Sequence, residues 1–304
     1  MHPAFSVLIF TVTAGAGYGL LGWLSANQLF AWWALSIAMQ ISIGVIAMVL
    51  ISIGLSASTW HLANPKNAWR SFSCFRTSWL SREAVFAILL YPIAALYAAA
   101  IYFQWDSIGI WAGLCLLFSF IIVFVTAMIY ASLKTIRQWH HPLVPILYLL
   151  FAAMSGGLAW AFLLAWNDLE LGLLIQILGA LVAFTTLTKL SYFWLFKVPG
   201  GSSIQTATSF LNQKVRILDA GHSAPSFLNN EFIYDVAKVK LLRMRWLMSS
   251  TTFVIPFALL YWLPNALTLA IAFVIMMAGL LTERWLFFAE ARHVVRLLHG
   301  QQRV

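Results

Sequence analysis

Residues 108–133 read IGIWAGLCLLFSFIIVFVTAMIYASL, a run with no Asp, Glu, Lys, Arg or His, preceded by Asp106 and followed by Lys134 and Arg137. A helix needs about 20 apolar residues to cross about 30 Å of hydrocarbon, and this run exceeds that. It has no polar face to turn toward water, which excludes the surface helix of a soluble domain. Ala4–Leu24, Trp33–Ser58, Ala84–Gln104, Val144–Trp166, Leu171–Phe196, Leu247–Leu263 and Ala266–Ala289 have the same character. The expected fold is therefore an all-α integral membrane protein with eight transmembrane helices.

The charges flanking residues 108–133 set a pattern that the whole chain follows. Lys66, Arg70, Arg76 and Arg82 separate the second and third runs, and Lys134 and Arg137 follow the fourth. Lys189 and Lys197 close the sixth, Lys214 to Arg245 fill the loop before the seventh, and Arg284 to Arg303 end the chain. The alternate loops carry only Asp106, Asp168 and Glu170. With an even number of spans, the positive-inside rule puts both termini and every basic loop in the cytoplasm.

Composition agrees: 62% of residues are hydrophobic and 9% charged. The first run has neither an Arg-rich leader nor a small-residue cleavage site after it, so a retained helix is expected rather than a signal peptide. The net charge of +9 suits anionic lipid headgroups or an acidic partner subunit. No folded soluble face with stacking aromatics is evident, so nucleic acid is not an expected partner.

Cys74 and Cys115 are the only thiols, too few for an iron–sulfur cluster or a Cys-based zinc site. His61, His140, His141, His222 and His293 all fall at or beyond the cytoplasmic boundary, which leaves no partner set for a haem wire across the bilayer. No haem and no metal site are expected. Any metal redox chain belongs to a partner.

The halves resemble each other weakly. His2-Pro3 opens a helix containing Ala14-Gly15-Ala16-Gly17, and His141-Pro142 opens one containing Ser155-Gly156-Gly157. This suggests two parallel four-helix units, residues 1–140 and 141–304, the second with a cytoplasmic loop over 198–246. Within that loop, Phe232, Val236, Val239 and Leu242 recur at helical spacing, either as a basic interfacial helix or as one leading into the seventh run.

The candidate site lies between the second and third runs. His61 ends one helix and Glu83 begins the next, so an imidazole and a carboxylate fall at one depth beside an apolar cleft. Proton-coupled quinone chemistry needs such a pair, because two protons accompany each two electrons. Trp60, Arg76, Trp79 and Arg82 surround the pair as candidate quinone-binding side chains, and Glu283, inside the last run, is a further one. Plainer roles stand beside these. His61 would cap a helix C-terminus and Glu83 would meet an N-terminal dipole, while Glu283 would pair with a cation on another helix.

Trp60-His61-Leu62 through Pro65 to Ala68-Trp69-Arg70, the stretch Arg76-Thr77-Ser78-Trp79-Leu80-Ser81-Arg82-Glu83, the opening His2-Pro3-Ala4-Phe5-Ser6 and Glu283 to Ala291 carry a resemblance. The chain is similar to the membrane anchor subunits of the DMSO reductase type, the DmsC-like family, over essentially its whole length. The resemblance implies a haem-free anchor in the inner membrane of a bacterium that exchanges electrons with ubiquinone or menaquinone. It also implies a four-cluster iron–sulfur partner and a catalytic partner carrying molybdopterin, with quinol binding and proton release tied to the positions of His61 and Glu83. Ala63 and Asn67 depart from the family's usual Gly and Arg. The expected cytoplasmic orientation favours the membrane subunit of sulfite dehydrogenase complexes, which reduce quinone, over a menaquinol-oxidising anchor of a DMSO or other S- or N-oxide reductase. A secondary transporter is the remaining class, disfavoured because the middles of the spans hold almost no ionisable groups.

Overall fold

The computed structural model describes residues 4–59, 65–197, 201–216, 218, 234, 236–299 and 301–303. Helices α1 (Phe5–Phe30), α2 (Ile37–Thr59), α3 (Trp79–Phe103), α4 (Ile108–Ala131), α5 (Leu143–Trp166) and α6 (Gly172–Leu195) follow the first six apolar runs. Then come a single turn, α7 (Ile204–Thr208), followed by α8 (Lys238–Ser249), α9 (Ile255–Trp262) and α10 (Ala266–Ala289). Seven of these, α1 to α6 and α10, are long and apolar enough to cross a membrane.

The seventh run differs from the single helix expected over Leu247–Leu263. Helix begins at Lys238 and continues to Trp262, but a π turn over Ser250–Val254 divides it into α8 and α9, and neither piece is long enough alone. The described part of the preceding segment leads straight into this run. Pro256 explains the break, because it has no N–H for the carbonyl four residues earlier and its ring crowds that carbonyl. The backbone widens instead, and the Ile255 N–H reaches back five residues to Ser250 O. α10 lies against the widened turn at Gly279, where a Cβ would come within 2.4 Å of Thr252 Oγ1.

Lipid provides no hydrophobic drive between helices, so association depends on close packing. α1 is the hub: it touches α2, α4, α5 and α10, so helices from both halves share one core. Its tightest crossing is with α5, where a Cβ on Gly156 would stand 2.2 Å from Gly19 C and one on Gly19 would stand 1.9 Å from Ala152 O. Trp23 Nε1 donates to Ala153 O at 2.9 Å across the same contact.

The basic segments gather on one face. An isolated bridge joins Ile136 to His293, and Trp139 Nε1 donates to Phe287 O at 2.9 Å, tying the α4–α5 loop to the end of α10. A second bridge pairs Ser203 with Arg303, and Arg245 Nε donates to Glu290 Oε1 at 2.7 Å. At the other face, Trp33 Nε1 donates to Glu170 O at 2.9 Å and joins the α1–α2 and α5–α6 loops. Exposed tryptophans ring both ends, Trp32, Trp166 and Trp262 at one and Trp69, Trp194 and Trp246 at the other, as in the aromatic belts of membrane proteins.

Candidate functional site

α3 starts at a polar sequence because Ser78 caps it: the Ser78 hydroxyl accepts from the Ser81 N–H at 3.4 Å. The helix therefore begins with Trp79-Leu80-Ser81-Arg82, and Glu83 lies one turn in, about 6 Å from the helix end. At that depth its carboxylate is not a solvent-facing cap. It is 4% exposed and covered by α4, whose Thr126 Oγ1 donates to Glu83 Oε1. The same hydroxyl stands 2.9 Å from Ile122 O, one turn back along α4. A threonine hydroxyl has one hydrogen and can serve one of these acceptors at a time.

Arg82 points the other way and fastens the preceding loop. Its Nε donates to Phe75 O at 3.0 Å and its Nη2 to Arg76 O at 2.6 Å, while the guanidinium lies 4.2 Å over the Trp79 ring. Trp79 itself meets Phe124 of α4 edge-on at 6.4 Å. The Arg76 side chain is exposed.

A second buried cluster joins α6 and α10. Lys189 Nζ donates to Glu283 Oε1, and Arg284 donates through Nε and Nη2 to Glu283 Oε2. All three are buried, about 9 Å from the basic face. Aromatic rings shield the cations: Arg284 sits 4.1 Å from the centre of the Tyr148 ring and 4.9 Å from Phe287, and Lys189 sits 4.7 Å from Tyr192. Among the described residues no group of three or more His, Cys, Asp or Glu could hold a metal.

The family model of the DMSO reductase anchor subunit (DmsC) matches residues 1–289. The chain belongs to the DmsC family of membrane anchors. It is also 32% identical to a sulfite dehydrogenase subunit from Allochromatium vinosum over 98% of this chain and 99% of that protein.

Of the anchor residues singled out by sequence, the structure places Glu83, Trp79, Arg82 and Arg76 together around the start of α3. His61 and Trp60 lie outside the described residues. Glu283 is not part of that group; it holds the ion cluster, which matches its plainer role. Lys189 needs a correction. Read as a basic residue closing the sixth run, it is 2% exposed inside the bundle, where an ammonium persists only with a counter-ion. That pairing had a signal, since Lys189 and Glu283 both interrupt apolar runs. Thr126 had none, because a threonine in an apolar helix ordinarily bonds its own backbone.

Proposed function

We propose that the anchor exchanges electrons between the quinone pool and the iron–sulfur subunit of a molybdopterin oxidoreductase, most directly quinone reduction coupled to sulfite oxidation. The relative from Allochromatium vinosum supports the sulfite assignment. The family's description favours a second reading, an anchor that oxidises menaquinol for a DMSO or other S- or N-oxide reductase. In either case substrate chemistry occurs on a partner carrying the molybdopterin, and a four-cluster iron–sulfur subunit docks on the basic face. The reading includes eight crossings, with the broken helix from Lys238 to Trp262 as the seventh, arranged as two four-helix units with both termini in the cytoplasm of a bacterium.

The observation that carries the quinone role is the Glu83–Thr126 contact. When Glu83 is ionised, Thr126 donates to it; when Glu83 is protonated, the carboxyl donates to Thr126, whose hydrogen then turns to Ile122 O. Both states are satisfied without moving a helix, which suits a group that loads and unloads protons in a nonpolar setting. His61, Trp60 and Trp79 complete the proposed headgroup site, with Arg82 fastening the loop that carries Arg76 beside it. An apolar groove of about 690 Å³ between α1, α2 and α3, running from Ala57 to Gln40, offers a bed for the isoprenoid chain.

The test compares two activities of the intact complex. His61→Ala and Glu83→Gln are each expected to remove most quinone-linked turnover, about 100-fold, while electron transfer to a soluble dye that bypasses the anchor is retained. Quinone turnover that survives both substitutions would remove the proton role and leave Glu83 as a buried contact between α3 and α4.

A further inference from the structure

A cavity of about 30 Å³ lies between α1, α4, α5 and α10, and its wall carries Tyr18, Thr126, Tyr148, Ser155 and Arg284. All five side chains are buried. Tyr18 Oη, Tyr148 Oη and Arg284 Nη1 are buried polar atoms without a partner in full hydrogen-bonding geometry, and Tyr148 and Arg284 lie close enough to interact with each other. Buried polar groups short of partners are costly away from water, and Tyr18, Tyr148 and Arg284 lining one space mark a site suited to a polar occupant. The volume admits about two water molecules and no ring-sized ligand. Thr126 is the link to the candidate site, because it lines this wall and its hydroxyl is bonded to Glu83. Arg284 links the opposite side: Glu283 holds its Nε and Nη2, which leaves Nη1, beside Tyr148, as its remaining donor.

We propose that this cavity holds a short water relay carrying protons between Glu83 and solvent at the basic face, with Thr126 and Tyr148 as its hydroxyl carriers and Arg284 as the fixed cation that orients the water. The inference rests on the reading that Glu83 handles the quinone's protons. In the direction of quinone reduction, Glu83 gives its proton to the quinone. Thr126 passes its hydroxyl proton to the vacated carboxylate and takes one from the adjacent water. That water is reprotonated by its neighbour or by the Tyr148 hydroxyl, which recovers a proton from solvent. Every group returns to its starting state, and one proton crosses for each one consumed; the reverse order serves quinol oxidation. Arg284 stays charged throughout, since a guanidinium does not release its proton in proteins. Tyr148 lies five residues into α5, about 8 Å from the basic-face end of that helix, so the solvent end of the relay is short.

The experiment places Thr126→Val, Thr126→Ser and Tyr148→Phe beside Glu83→Gln in the assembled complex, with rates normalised to dye-linked activity. Valine matches threonine in shape without the hydroxyl, and serine keeps the hydroxyl. Thr126→Val and Tyr148→Phe are expected to lower quinone-linked kcat by about tenfold or more at unchanged KM for quinone. Both are also expected to enlarge the solvent deuterium isotope effect, and Thr126→Ser to restore most of the rate. If Glu83→Gln is inactive with quinone while Thr126→Val and Tyr148→Phe turn over like the native complex, the relay is wrong and Glu83 keeps its proton role without need of the Thr126 hydroxyl. If Glu83→Gln is fully active, both fall. A raised KM with unchanged kcat in Thr126→Val and Tyr148→Phe would make the cavity wall a headgroup contact and overturn the relay.

Discussion

Replacing Glu283 by glutamine is expected to destabilise the anchor more than replacing Lys189 by methionine, and the ordering follows from the charge count in the buried cluster. Lys189, Glu283 and Arg284 are 2%, 0% and 5% exposed, two cations around one anion. Lys189→Met leaves a neutral Glu283–Arg284 pair. Glu283→Gln leaves two cations facing each other with no carboxylate bonded to either. Removing one partner of a buried pair costs about 3–5 kcal/mol; Glu283→Gln belongs at or above the upper end and Lys189→Met at or below the lower end. A gap of about 2 kcal/mol corresponds to roughly 30-fold in the folded population. Heating the purified complex in detergent and measuring the fraction that still elutes as a single species resolves a gap of that size. Equal losses, or a larger loss for Lys189→Met, would refute the charge argument and leave packing of the long side chains as the main source of stability.

The crossing of α1 and α5 predicts that Gly156→Val sharply lowers the yield of folded anchor, because its Cβ would stand 2.2 Å from Gly19 C, whereas Gly113→Ala, with nothing within 4 Å, leaves the yield unchanged or raised. For topology, a phosphatase fused after Val304 is expected to be inactive and a fluorescent protein bright; an active phosphatase would reverse the proposed orientation. Charge reversal at Lys66, Arg70, Arg137 and Lys238 together is expected to release the soluble subunits from membranes, and added salt to do so more gradually. Subunits that stay bound would assign those charges to lipid contact.

Most spans were legible because the lipid environment demands continuous apolar helix, and the run at Ala266–Ala289 coincides with α10. Boundaries shifted where polar side chains decided the local structure. α3 starts five residues before its apolar run because Ser78 caps it. α2 starts at Ile37 rather than Trp33 because the Asn27 amide holds Trp33 through its N–H at 2.9 Å and its carbonyl at 3.1 Å. The π turn was hidden, since Pro256 within an apolar run signals a break but not its form. At the site, Glu83 stood out as a carboxylate beside an apolar run. Thr126 and Tyr148 gave no such sign, because they gain meaning only from the helices that face them.

The buried ionic side chains Lys189, Glu283 and Arg284 and the proposed proton carriers Glu83 and Thr126 all lie within about 9 Å of the basic face. On the proposed reading the electrons arrive through that same face. Reducing a quinone there takes up negative charge and protons from one compartment, so no net charge is displaced across the bilayer. Moving one elementary charge through the full thickness is worth about 2.3 kcal/mol per 100 mV, and this anchor would neither store that energy nor spend it. Its turnover is expected to be indifferent to an imposed transmembrane voltage, and any ion gradient fed by the reaction would have to be generated by a separate enzyme that reoxidises the quinol.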